Sequence, residues 1–136
     1  MAMILSTHDT GFEHPDDATI AKVLASLDGG HNVLATLGSA DDTYVQAHGS
    51  VRAGFGVDLQ EGSLARRFRT KNRALPLAWV TEVFQRYAKG DLSWRQEVEW
   101  EKEEVKVVPP SWWNSWVAYI LLMVAVAFAI WFIRGW

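Results

Sequence analysis

From Trp116 to Ile133 the chain runs WVAYILLMVAVAFAIWFI, 18 residues without a charge, a proline or a glycine. As a helix rising 1.5 Å per residue such a run is about 27 Å long, close to the roughly 30 Å of a bilayer's hydrocarbon core. A helix apolar all round must be enclosed by protein or by lipid. The part of the chain ahead of it carries amphipathic helices of its own and is too small to enclose another. A transmembrane helix is therefore expected. Five of the chain's eight tryptophans fall around it: Trp112, Trp113 and Trp116 precede or open the run, and Trp131 and Trp136 close it. That placement suits rings that settle at the two membrane interfaces. Pro109 and Pro110 bar a helix from running in from upstream, so Ser111 or Asn114 is its expected start.

Orientation follows from the flanks. The apolar patch Met1 to Leu5 gives way at once to Ser6, Thr7, His8 and Asp9, too short for a signal peptide and without a basic leader. Lys102 and Lys106 precede the span and Arg134 alone follows it, which favours the N-terminal side as the cytoplasmic one. The expectation is a single-pass, C-terminally anchored protein of the bacterial inner (plasma) membrane. It would comprise a cytoplasmic domain over residues 1–101, a charged, Pro-containing stalk over 102–111, and the span with its flanking tryptophans over 112–136.

The mean hydropathy of −0.03 blends these parts and by itself suggests an ordinary soluble chain. Within the domain, Pro15, Asp16 and Asp17 suit a helix start, and Ile20, Val23, Leu24 and Leu27 form one apolar stripe before Gly29-Gly30. Alternation then marks four strands. Val33, Ala35 and Leu37 come before a turn at Gly38 to Asp42; Tyr44 to His48 follow; Phe55, Val57 and Leu59 precede Glu61-Gly62-Ser63; Leu64, Arg66 and Phe68 come last. A second helix is expected from Pro76 to Lys89, with Trp79, Val80, Val83, Phe84 and Tyr87 on one side and Gly90 as its stop. Beyond it, a final strand within residues 97–108 is expected, a helical extension being the alternative. The fold class is thus α+β: a small two-layer domain of helix, antiparallel meander and helix, followed by one transmembrane helix.

The order of these elements, with the turn Glu61-Gly62-Ser63, the helix end Tyr87-Ala88-Lys89-Gly90-Asp91, and then Trp94-Arg95 and Trp100-Glu101, resembles a small domain of uncharacterised bacterial proteins. Some of these are similar to Imm1-type immunity proteins of contact-dependent toxin systems. The resemblance spans residues 15–101 and implies protein binding. It carries over no catalytic residue and does not account for the span.

Candidate chemistry is sparse. Without cysteine there is no disulfide framework, thiolate site or thiol nucleophile. His8, His14, His31 and His48 form no i, i+4 pair and no H-E-x-x-H; a set of His8, Asp9, His14 and Asp16 is conceivable for a metal, but surface histidines at element ends are the better account. The span holds no histidine, so it offers no imidazole to a haem-type cofactor. Gly54-Phe55-Gly56 lacks the third glycine and following helix of a dinucleotide fingerprint and suits close strand packing instead. No G-x-S-x-G elbow is present, and Asp41-Asp42 falls in a turn. Neither a cofactor nor enzymatic activity is expected; a small hydrolase or metal-dependent enzyme is the distant alternative.

Charge is more informative. Residues 1–51 hold one Lys against seven Asp/Glu, net −6; residues 52–89 hold eight basic against three acidic, net +5; residues 90–108 hold three against six, net −3. Arg66, Arg67, Arg69, Lys71 and Arg73 form a basic ridge. It either protects a sheet edge by pairing with the acidic segment after Gly90, or meets anionic lipid headgroups or an acidic partner. Nucleic acid is not an expected partner, since the domain is net negative and the ridge interleaves one aromatic, Phe68. In the span, Ala118, Ala125 and Ala129 share a helical face, and Ala125 and Ala129 make a small-xxx-small pair that lets another helix approach closely. Together these features suggest a non-enzymatic accessory or interaction subunit of an inner-membrane complex. It would lie in the lipid bilayer and meet a protein partner, or itself, through the span. The alternative is an immunity-like domain that binds and neutralises a toxin.

Overall fold

The computed structural model describes residues 2–104 and 111–134, with side chains in the last helix described from Trp116 onward. The chain divides into two compact units, Met1–Val105 and Lys106–Trp136. The first is an α+β domain built on one seven-stranded antiparallel sheet. Its strands are β1 (Ile4–Ser6), β2 (Gly11–Glu13), β3 (Leu34–Ala40), β4 (Thr43–Ser50), β5 (Gly54–Glu61), β6 (Arg67–Thr70) and β7 (Trp100–Lys102), in the spatial order β2-β1-β3-β4-β5-β6-β7. Helix α1 (Asp17–Ala25) lies in the connection from β2 to β3 and α2 (Leu77–Ala88) in that from β6 to β7. The two helices pack against each other on the same sheet face.

Period-two alternation decides which face they cover. Leu5, Ala35, Leu37, Val45, Ala47, Phe55, Val57 and Leu59 point to the helices and are buried, meeting Ile20, Val23 and Leu24 of α1 and Val80, Val83, Phe84 and Tyr87 of α2. Trp94 closes one end of this core. It is wholly buried, donates its indole N–H to the Asp91 carbonyl at 2.9 Å, and lies between Tyr87 and Trp100 at ring-centroid distances of 6.4 and 5.8 Å.

The sheet is wider than the sequence suggests. Three of the four expected strands are the long central β3, β4 and β5; the fourth begins later, because Leu64–Arg66 forms a 3-10 turn and only Arg67–Thr70 pairs with β5. β1 and β2 are additions to the expected set, and they and β7 have three residues each. That length is too short for alternation to register, and it leaves both sheet edges short, a common protection against edge-to-edge pairing. β7 is the expected final strand, confined to Trp100–Lys102; residues 105–110 lie outside the described part. Helix α1 starts two residues after the proline, since Asp16 is the N-cap and its Oδ1 accepts the Thr19 N–H at 2.7 Å. Pro15 stands before the cap. Likewise Pro76 and Lys89 cap α2 rather than belonging to it.

The β6–α2 connection is strapped to β5. Phe55 and Leu75 exchange backbone hydrogen bonds, each 2.9 Å, and this brings Ala74 against Gly54. A Cβ on Gly54 would sit 2.5 Å from the Ala74 Cα, and its φ of +87° already favours glycine.

In the second unit, α3 (Ser111–Arg134) is a 24-residue helix. Its segment Trp116–Arg134 is long and apolar enough to cross a membrane, and none of it is buried. It starts at Ser111, one of the two expected positions.

Gly54 and Gly62, at the two ends of β5 and both at positive φ, separate the cost of backbone strain from that of close approach. Gly62→Ala, at φ +86° with open space around it, should lower stability by about 1 kcal/mol. Gly54→Ala should cost about 3 kcal/mol or more, because the strap must also move. Urea unfolding of the detergent-solubilised chain, followed by the sheet's circular dichroism, compares the two. Equal losses would mean that the strap yields freely.

Candidate interaction face

Among the described residues, neither α1 nor α2 covers the second face of the sheet. Cross-strand partners share a face, and the registers therefore lay out rows across it. One row runs Glu13, Ile4, Gly38, Tyr44, Gln60, Arg67; a second runs Gly11, Ser6, Thr36, Gln46, Asp58, Arg69, Glu101; His48 and Gly56 stand opposite each other in a third. The face has two halves. From β2 to β4 it is nearly uncharged and holds hydroxyls, amides, Ile4 and the Tyr44 ring; from β5 to β7 it is an ionic lattice.

The lattice is where the basic ridge goes. Arg69 Nε donates to Glu101 Oε1 at 2.7 Å, Arg67 Nε lies 2.7 Å from Glu103 Oε2 as a charge contact, and Lys71 Nζ lies 3.8 Å from Glu99. These are successive outward positions of β6 and its continuation facing those of the β7 segment. Arg66 pairs with Glu61 at 2.9 Å, and Arg95 reaches the same carboxylate at 2.5 Å. The segment after Gly90 thus neutralises Arg67, Arg69 and Lys71 strand against strand, at a gain of roughly 0.2–1 kcal/mol for each exposed pair.

The fifth ridge residue, Arg73, belongs to a tighter cluster. Asp58 is only 6% exposed, and Arg73 Nη1 donates to its Oδ1 at 3.1 Å, while His48 Nε2 and Arg67 Nη2 lie 3.5 and 4.0 Å from its Oδ2. Arg73 also contacts His48 Nε2. Its guanidinium rests on the bare backbone of Gly56, where a Cβ would come within 2.7 Å of it. Burial pushes the Asp58 carboxyl up, but hydrogen bonds and attraction from His48 and Arg73 outweigh it and hold the group below the usual carboxylate range. Beside this cluster Tyr44 donates its hydroxyl to Gln60 Oε1 at 3.0 Å, so the two meet across neighbouring strands. On the helical side, Arg86 gathers Asp91 at 3.0 Å and Glu97 at 2.8 Å and also contacts Ser93. Ser93's hydroxyl and backbone N–H, with Arg86, hold Asp91 down at about 2.

The other singled-out residues stay apart. His8 sits at the β1–β2 hairpin tip, His14 before α1 and His31 in the α1–β3 loop, and among the described residues no three His, Cys, Asp or Glu side chains are placed to hold a metal. Asp41 and Asp42 form the β3–β4 turn. In α3, Ala118, Ala125 and Ala129 lie on one exposed face, and Trp116 and Trp131 are exposed, Trp131 beside Phe128 with centroids 6.0 Å apart. Trp112 and Trp113 are in the helix without described side chains, and Trp136 lies outside the described residues. The His48–Asp58–Arg73 cluster escaped sequence reasoning, although the alternation of β4 and β5 places His48 and Asp58 outward; only the chain reversal after β6 adds Arg73. No family model, curated protein or solved structure matches this chain.

Both Asp58 and Asp91 have folded pKa values below their unfolded ones. Their stabilisation is whole above roughly pH 4 and is lost as pH falls through the folded values, which for Asp91 is about 2. Asp58→Asn should lower stability at pH 7 by about 2 kcal/mol, since it strands Arg73 beside a neutral amide, and it should flatten the loss of stability below pH 4. Urea unfolding at pH 7 and across pH 2–5 checks both; an unchanged acid limb would show that Asp58 does not carry it.

Proposed function

We propose that the chain is a single-pass, C-terminally anchored, non-enzymatic interaction or accessory subunit of a complex in the bacterial inner membrane, with its domain in the cytoplasm. The observation that carries this reading is α3, unburied and long and apolar enough along Trp116–Arg134 to cross a membrane, in a chain whose domain carries both of its helices on one face of its sheet. In the bilayer, the face of Ala118, Ala125 and Ala129 lets a partner helix or a second copy approach closely. The domain's ionisable groups suit a structural role. His48 Nε2 already meets both Asp58 and Arg73, and the ridge arginines are engaged by carboxylates, so these groups lock β5, β6 and β7 together.

A second reading is an immunity-like domain that binds a toxin, which the resemblance over residues 15–101 suggests. The order of α1, β3–β5 with its turn after Glu61, and α2 ending before Gly90 is compatible with it. Recovery of a toxin-like protein bound to the domain, or toxin genes beside its own, favours this second reading; absence of both counts against it.

The first reading is tested in membranes. The chain should resist alkaline carbonate extraction, and protease added outside spheroplasts should leave the domain intact. Replacing both Ala125 and Ala129 with Leu should weaken helix association in the bilayer roughly tenfold. Unchanged association would remove the alanine face, and carbonate release would remove the anchor.

A further inference from the structure

The charge balance on the folded domain differs from the one along the chain. Residues 52–104 sum to +1, and the ridge is consumed by Asp58, Glu61, Glu99, Glu101 and Glu103. Residues 2–51, which build β1 to β4 and α1, carry −6, and within them Glu13, Asp41 and Asp42 have no ion-pair partner among the described residues. The unspent charge is therefore acidic, and it borders the uncharged half of the open face. That half is hollowed. A depression of about 410 Å³ lies over β1, β3 and β4, lined by Ile4, Ser6, Thr36, Gly38, Tyr44 and Gln46, with Asp41 at its rim. Glu13 stands beside Ile4 on the same face.

We infer that this depression docks a basic segment of a partner protein, its Lys or Arg side chains reaching Asp41 and Glu13 and its backbone and apolar groups resting on Tyr44, Gln46 and Ile4. The inference rests on the reading of the chain as an interaction protein and names the partner's chemistry. Three features favour such a segment. Acidic groups flank the hollow on two sides, so a cation gains wherever it lies along the row. Tyr44 is a rigid aromatic with a polar tip, the kind of side chain that anchors protein contacts. The hydroxyls of Ser6 and Thr36 and the amide of Gln46 follow one another along a single row across β1, β3 and β4, as an extended segment lying across the strands requires. An anionic lipid surface is repelled by the same acids, and the ridge residues that would attract it are already paired.

The experiment uses the full chain in nanodiscs of neutral phosphatidylcholine, titrated with an eight-residue peptide carrying four arginines and followed by amide NMR shifts. Shifts confined to β1, β2, β3, β4 and the β3–β4 turn, with affinity falling as salt rises, are expected. Glu13→Lys with Asp41→Lys should weaken binding at least tenfold, and Tyr44→Ala should weaken it several-fold. Glu104→Lys, the charge change of either single substitution placed at an exposed position away from the hollow, should leave it within twofold. Unchanged spectra elsewhere show that the variants fold. Shifts on other elements, equal weakening by Glu104→Lys, or tighter binding to phosphatidylglycerol vesicles than to the peptide would overturn the inference. Since helix association is measured separately, it can persist when the peptide fails to bind, and the interaction reading then stands without this partner.

Discussion

An antiparallel sheet that places both of its helices on one side is obliged to be apolar there and polar on the other, and the rest of the domain follows from that obligation. Val45, Ala47, Phe55, Val57 and Leu59 can be buried only if Tyr44, Gln46, His48, Asp58 and Gln60 are turned away from the core. A slip of one residue between β4 and β5 would put Asp58 under α2 and Phe55 in water. The eight paired positions of these strands, Thr43 with Glu61 through Ser50 with Gly54, hold the register. They also collect the polar side chains of five strands on one continuous surface.

Once that surface exists, its ions have to be balanced in place. Asp58 stays charged while nearly buried because Arg73, His48 and Arg67 converge on it from β4, β6 and the strap after β6. Removing one partner from so shielded a group costs more than an exposed pair ever contributes. Gly56 belongs to the same device, since only a residue without a side chain leaves room for the guanidinium to lie flat on the strand. The acidic β7 segment then completes β6 on its far side, so the edge of the sheet ends in Trp100–Lys102 with alternating charge rather than in a row of free arginines.

Local pattern sufficed for some of this and not for the rest. The stripes of α1 and α2, the five-residue alternations in β3 to β5 and the 18-residue apolar run of α3 are long enough to read locally, and each marks an element of the fold. β1 and β2 have one inward side chain apiece, Leu5 and Phe12, so no period exists to detect. The start of β6 was misplaced because Leu64, Arg66 and Phe68 alternate in sequence while Gly62, in a left-handed turn, sends the chain through a 3-10 turn first. Charge counts located the ridge and its acidic counterpart correctly as blocks. They could not assign Arg69 to Glu101 or Arg73 to Asp58, because those pairings are set by strand register and by the strap.

The same pairing bears on what a membrane-attached domain can present. A shallow polar face buries modest area, and binding there must overcome the loss of translational freedom that association from solution demands. On the proposed reading, anchoring removes much of that cost: a partner held in the same bilayer meets the face at an effective concentration set by the tether, so a weak contact suffices. Under such conditions selectivity matters more than strength. A face whose basic half is closed by its own carboxylates discriminates against the anionic headgroups that surround every membrane protein, and it leaves its uncompensated acids to select a partner of opposite sign.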